Sequence, residues 1–234
     1  MNVIVTGASK GIGAGIATFL AMDGYNVGLM ARSKDLLEDV RQSIEEEGGT
    51  CSSAACDVCD ADQVSYAVAA LADRLGGIDA LINNAGLVIR KDIFEISTGE
   101  WHAMINTNVN GAFNVTRAVL PYFQEKGEGR IINISSISGK VPLPGGSGYA
   151  ASKYALTGLS QSLFHELRDH GITVTAVYPG SVDSASHRHD PGADHSWKVQ
   201  PEEVGQACRD VLRMRPGCAI SELEIRPLAR PPKT

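Results

Sequence analysis

Apolar and polar positions along this chain switch repeatedly between two rhythms. Short apolar or β-branched runs stand at 2–6 (NVIVT), 26–32 (NVGLMAR), 50–58 (TCSSAACDV), 78–86 (IDALINNAG), 131–135 (IINIS) and 221–228 (SELEIRPL). They have the make-up of buried strands. GITVTAVYPGSVDS, at 171–184, alternates in the same way. Longer segments with helical spacing lie between them, at 15–24, 33–49, 60–77, 100–126, 150–167 and 201–214. Glycines close several of these helices, and Pro201 opens the last. Strands alternating with helices predict an α/β fold: a doubly wound, mostly parallel sheet flanked by helices, the Rossmann arrangement. No repeat, linker or low-complexity stretch divides the 234 residues, so one domain over 1–234 is expected.

Composition narrows the function classes. The net charge of -6 disfavours a nucleic-acid partner, and no apolar run is long enough to span a bilayer. The chain enters a strand at once, without a basic leader, and a cytoplasmic location is expected. The five cysteines include one CxxC, Cys56 and Cys59, with no second pair and no helix start beneath it. Reduced, partly buried thiols fit better than a redox or zinc site.

Three stretches carry candidate chemistry. TGASKGIG, at 6–13, joins the first strand to the first helix. Gly7 permits the tight turn, Gly11 lets backbone approach a pyrophosphate, and Gly13 lets helix pack on strand. The helix start offers free N–H groups to phosphate. The second strand ends in Ala31, Arg32 and Ser33, where an NAD-binding unit places a carboxylate on the ribose. Arg32, with Lys10 in the glycine turn, suits a 2′-phosphate and so NADP(H). Asp57 and Val58 end the third strand beside the expected adenine. Asn83 and Asn84, before Ala85 and Gly86, are placed to bind strand ends and ribose by hydrogen bonds.

The central stretch is GRIINISSISGKVPLPGGSGYAASK, at 129–153. It reads as a strand, a loop from Val141 to Gly148, and a helix start. Tyr149 and Lys153 are four apart, on one helical face. A free phenol, of pKa about 10, is a poor acid–base group at neutral pH. A fixed ammonium lowers that value, and the phenol then trades protons with a carbonyl or alcohol oxygen. Ser136 would hold the same oxygen. An isolated YxxxK is common by chance; its company in this chain gives it meaning. Segment 100–126 is rich in amides, and Asn108 is the candidate to hold a water against Lys153 at a local kink. Residues 185–200 are polar and aperiodic and read as a substrate lid. Their three histidines, His187, His189 and His195, lack the partners a metal site needs, so no metal is expected.

Together these motifs resemble the single-domain short-chain dehydrogenase/reductase family, from position 6 to about 228. The matched features are the glycine turn, Asp57, NNAG at 83–86, Asn108 in NTNV, Ser136, the Tyr149/Lys153 pair and PG at 179–180, in order and at the family's spacings. The resemblance implies an NADP(H)-dependent oxidoreductase acting on a small carbonyl or secondary-alcohol substrate. Tyr149 would be the general acid–base. Lys153 would tune it and bind the nicotinamide ribose. Ser136 would orient the substrate and Asn108 sustain a proton relay. Ser9 and Ile12 would join the glycines at the cofactor, and Pro179, Gly180, Val182 and Ser184 would line the nicotinamide. Ser184 stands where relatives usually carry threonine. A homotetramer or homodimer is implied through the helices bearing Asn108 and Tyr149, with Ala112, Phe113, Leu156 and Leu159 as interface or core. A lyase or epimerase and a non-catalytic NADP(H)-sensing protein are the alternatives. The first fits the glycine spacing poorly, and the second has no need of the full set.

Overall fold

The computed structural model describes residues 1–184 and 194–228. The chain alternates as its apolar pattern predicts. β1 (Asn2–Thr6), α1 (Gly11–Met22), β2 (Asn26–Ala31), α2 (Lys34–Glu46), β3 (Thr50–Ala55), α3 (Ala61–Leu75) and β4 (Ala80–Asn83) come first. Then follow α4 (Thr98–Ile105), a π-helical turn (Asn106–Asn110), α5 (Gly111–Lys126) and β5 (Gly129–Ile134). A 3-10 turn (Ile137–Gly139), α6 (Ser147–Leu167), β6 (Ile172–Pro179), α7 (Pro201–Leu212) and β7 (Glu222–Ile225) complete it.

The strands form one sheet in the order β3-β2-β1-β4-β5-β6-β7. Every pairing is parallel. Side chains alternate across it, as strand geometry requires. Val3 and Val5 enter the core under α1, α2 and α7, whereas Ile4 enters the core under α3 and α5. Both faces are covered, so the central strands read as continuous apolar runs rather than polar–apolar alternations.

Three elements differ from the sequence expectation. β2 stops at Ala31, one residue short, which frees Arg32 from the ladder. The single helix expected over 100–126 is interrupted by the π turn, where the asparagines cluster. β3 ends at Ala55, so Cys56, Asp57 and Val58 lie in the loop beyond it. Of the residues named for a subunit interface, Ala112 and Leu156 are buried within this chain, Leu159 is half-buried and Phe113 is exposed.

All five cysteines are free. Burial pushes the Cys51 and Cys56 thiols up to about 11 and the Cys208 thiol to about 12, which keeps them protonated and unreactive. Residues 185–193, with His187 and His189, lie outside the described residues. His195 is half-buried; its Nδ1 meets the Lys198 ammonium and lies 3.8 Å from Asp183 Oδ1. Among the described residues no three potential metal ligands gather, and no helix is long and apolar enough to cross a membrane.

Candidate active site

The strand order reverses between β1 and β4, and a cleft of about 840 Å³ opens at the C-terminal ends of the strands there. This is where open α/β sheets hold ligands. The glycine turn is shaped by contacts that only glycine allows. Gly7 and Gly11 have φ of +66° and +57°. A Cβ on Gly13 would lie 2.2 Å from the Gly7 carbonyl oxygen, so any side chain would push α1 off β1. α1 starts with no acidic residue in its first turn and no side-chain cap, which leaves its first N–H groups free of side-chain partners.

The asparagines after β4 lock this turn in place. Thr6 Oγ1 accepts from the backbone N–H of Asn84 and of Ala85, both at 3.0 Å, and Asn84 Nδ2 donates to the Thr6 carbonyl at 3.0 Å. Asn83 turns the other way. Its Nδ2 donates to Asn133 Oδ1 at 2.9 Å and to Thr116 Oγ1 at 3.1 Å, in a buried amide cluster beneath α5. Its side chain braces the sheet and does not line the cleft.

The cleft is lined at one end by Gly7, Ser9, Lys10, Gly11, Ile12 and Gly13, with Arg32, Ser33, Asp57 and Val58 nearby. Lys10 and Arg32 are exposed there, and no carboxylate ends β2. At the other end stand Ala85, Gly86, Tyr149, Lys153 and Ser184. Pro179, Gly180 and Val182 are not on its wall. Pro179 pairs with Ile225, the Gly180 N–H donates to the Ile225 carbonyl at 2.7 Å, and Val182 bridges to Val199.

α6 carries Tyr149 and Lys153, both buried. Lys153 Nζ donates to the Ile134 carbonyl oxygen at 2.8 Å and lies 5.9 Å from the centre of the Tyr149 ring. Burial lowers the lysine to about 8. Burial also raises the Tyr149 phenol, and a hydrogen bond from Ser136 opposes the rise. The sequence predicts the reverse, a phenol made more acidic by the ammonium. In the fold the ammonium is spent on Ile134, and desolvation of the phenolate dominates. The Ser138 N–H donates to Ser136 Oγ at 3.1 Å, which leaves the serine's own proton free to donate.

Asn108 sits in the π turn, almost fully buried. Its Oδ1 accepts from the Leu87 N–H at 2.7 Å; its Nδ2 donates to the Leu87 carbonyl at 2.9 Å and to Ser152 Oγ at 2.8 Å. Ser152 in turn donates to the Tyr149 carbonyl at 2.7 Å. The side chain thus ties Leu87 of the cleft wall to α6. Thr6 and Ser152, neither singled out by the sequence motifs, complete the clamp. Both are small hydroxyl residues next to motif positions, and only the fold shows their partners.

The family model described as short chain dehydrogenase matches residues 1–193. The chain is 39% identical over 184 residues to the 3-oxoacyl-(acyl-carrier-protein) reductase FabG of Staphylococcus aureus, covering 78% of this chain and 75% of that protein. The alcohol dehydrogenase of the archaeon Thermococcus sibiricus, solved with 5-hydroxy-NADP, superposes with a TM-score of 0.90 at 31% identity, covering 100% of this chain and 99% of that one. A variant of the actinorhodin polyketide ketoreductase, solved with NADPH, superposes at 0.88 with 31% identity, over 97% and 95% of the two chains. This chain belongs to the short chain dehydrogenase family, and it is an oxidoreductase by that membership.

Proposed function

We propose that this protein is an NADPH-dependent carbonyl reductase, or in reverse a secondary-alcohol dehydrogenase, with Tyr149 as its general acid–base. The observation that carries the reading is the pair Tyr149 and Lys153 at one end of a cleft whose other end is the glycine turn, with Ser136, itself off the cleft wall, hydrogen-bonded to the Tyr149 phenol. The residues fit NADP(H). The uncapped start of α1 suits the pyrophosphate, Lys10 and Arg32 suit the 2′-phosphate, and Asp57 and Val58 flank the adenine. Lys153 would bind the nicotinamide ribose, and Ala85, Gly86 and Ser184 would border the ring. Bound there, the cofactor supplies or accepts the hydride. The NADP-type ligands of the two structural neighbours support this choice.

The chain's own residues manage the oxygen. Ser136 Oγ–H and the Tyr149 phenol both donate toward a carbonyl oxygen, which draws negative charge as the carbon is reduced. With its pKa raised by burial, Tyr149 is protonated at neutral pH and is ready as an acid. Lys153, largely charged at that pH, adds positive potential beside it. This protonation pattern favours reduction over alcohol oxidation at pH 7. A reducing, cytoplasmic setting suits the free cysteines. The test is a panel of ketones, keto-acyl thioesters and secondary alcohols assayed with NADPH and NADH, or their oxidised forms. NADPH oxidation with a ketone is expected; no turnover with any member under either cofactor overturns the reading.

A further inference from the structure

We propose that Lys140 is a positioning residue for Ser136, tying the turn that carries the serine to the edge strand β7. The inference rests on the role given above to Ser136. Ser136 leaves β5 directly into the 3-10 turn, which closes on it twice. The Gly139 N–H donates to the Ser136 carbonyl at 2.8 Å, and the Ser138 N–H donates to its Oγ. One side of this turn is fixed against α6. A Cβ on Gly139 would lie 2.8 Å from the Lys153 carbonyl oxygen and 2.9 Å from Thr157 Oγ1, so the backbone is in direct contact with the helix.

The other side is held by charge. Lys140 caps the turn, and its Nζ lies 2.6 Å from Glu222 Oε2 and 3.1 Å from Glu224 Oε1, both on β7. It also stands 4.1 Å over the centre of the Tyr178 ring of β6. Gln161 of α6 donates to Glu222 at 2.8 Å, and Arg226 pairs with Glu224 at 3.0 Å. One cation therefore joins the serine turn to two carboxylates more than 80 positions away, next to a fully buried aromatic ring. Only about a quarter of the Lys140 side chain is exposed, so this contact is less screened than a surface pair. The turn has no other ionic tether among the described residues. Its loss frees the serine hydroxyl to swing while the cofactor end of the cleft is untouched.

The experiment compares wild type with K140M, K140R and S136A. It reads kcat and KM for a reducible ketone, the Kd for NADPH, and hydrogen exchange at the Ser138 and Gly139 amides. K140M is expected to lower kcat about tenfold with the NADPH Kd unchanged, and to speed exchange at both amides; K140R should restore kcat and protection. If K140M does not fold, K140M/E222Q/E224Q removes the facing carboxylates as well and should show the same kcat loss. Wild-type kcat in a folded variant, or a kcat loss without faster exchange, overturns the proposal. Exchange needs no turnover, so it decides the tether even if no ketone is reduced. An inert wild type, or an S136A with full activity, indicts the functional reading instead.

Discussion

The Lys153 ammonium and the Tyr149 phenol share a helical face, yet the ammonium donates its 2.8 Å hydrogen bond to the Ile134 carbonyl, at the end of β5. A buried cation held by one neutral carbonyl is costly. Its fall from 10.5 to about 8, at about 1.4 kcal/mol per pKa unit, corresponds to about 3 kcal/mol of lost stability at neutral pH.

That cost predicts a trade. Lys153→Met should abolish turnover and raise stability at pH 7 by about 2 kcal/mol, after allowing about 1 for the orphaned Ile134 carbonyl. The sign follows from proton counting. Between pH 8 and 10 the unfolded lysine keeps its proton and the folded one loses it, so wild-type stability rises through that window. The Tyr149 phenol, raised above 10, works in the opposite sense only at higher pH. The gain from Lys153→Met should therefore shrink steadily from pH 8 to 10 in urea unfolding. A constant difference across the window contradicts it.

Arg32 lies just past β2 and lines the cleft together with Lys10. Arg32→Ala should raise KM for NADPH roughly tenfold, the loss of one charge-assisted hydrogen bond, and leave KM for NADH nearly unchanged. Adding Lys10→Ala should widen the gap. Equal changes for the two cofactors would remove the 2′-phosphate assignment.

Asn108 holds Leu87 by both backbone groups. Asn108→Ala leaves the half-buried Leu87 N–H and C=O without this partner and should cost about 2 kcal/mol in chemical denaturation, with turnover falling alongside. Ser152→Ala, which removes one partner of Asn108 and the bond to the Tyr149 carbonyl but leaves Leu87 held, should cost about 1 kcal/mol. A neutral Asn108→Ala would show that the clamp contributes nothing.

The sequence exposes what depends on near neighbours. The glycine turn is legible because strand, turn and helix follow one another within a few residues. The Tyr149/Lys153 spacing is legible because a helix converts four positions into one face. What escapes notice is set by distant partners. Asn83 reads as a ribose ligand beside Asn84, but the strand's alternation sends it under α5 to Asn133. The amide-rich stretch points to a kink near Asn108, and the π turn is there. Its side chain, however, meets Leu87 and Ser152, a pairing that no local pattern encodes. The direction of the Tyr149 shift is missed for the same reason, since burial comes from the whole fold and the ammonium's acceptor lies 19 residues away.

The central claim is that the Tyr149 hydroxyl transfers the proton, and Tyr149→Phe removes that oxygen alone. NADPH binding, followed by fluorescence, should stay within about twofold, while ketone reduction should fall by at least about 100-fold. A Phe variant that binds NADPH and keeps more than about a tenth of wild-type turnover would contradict the account.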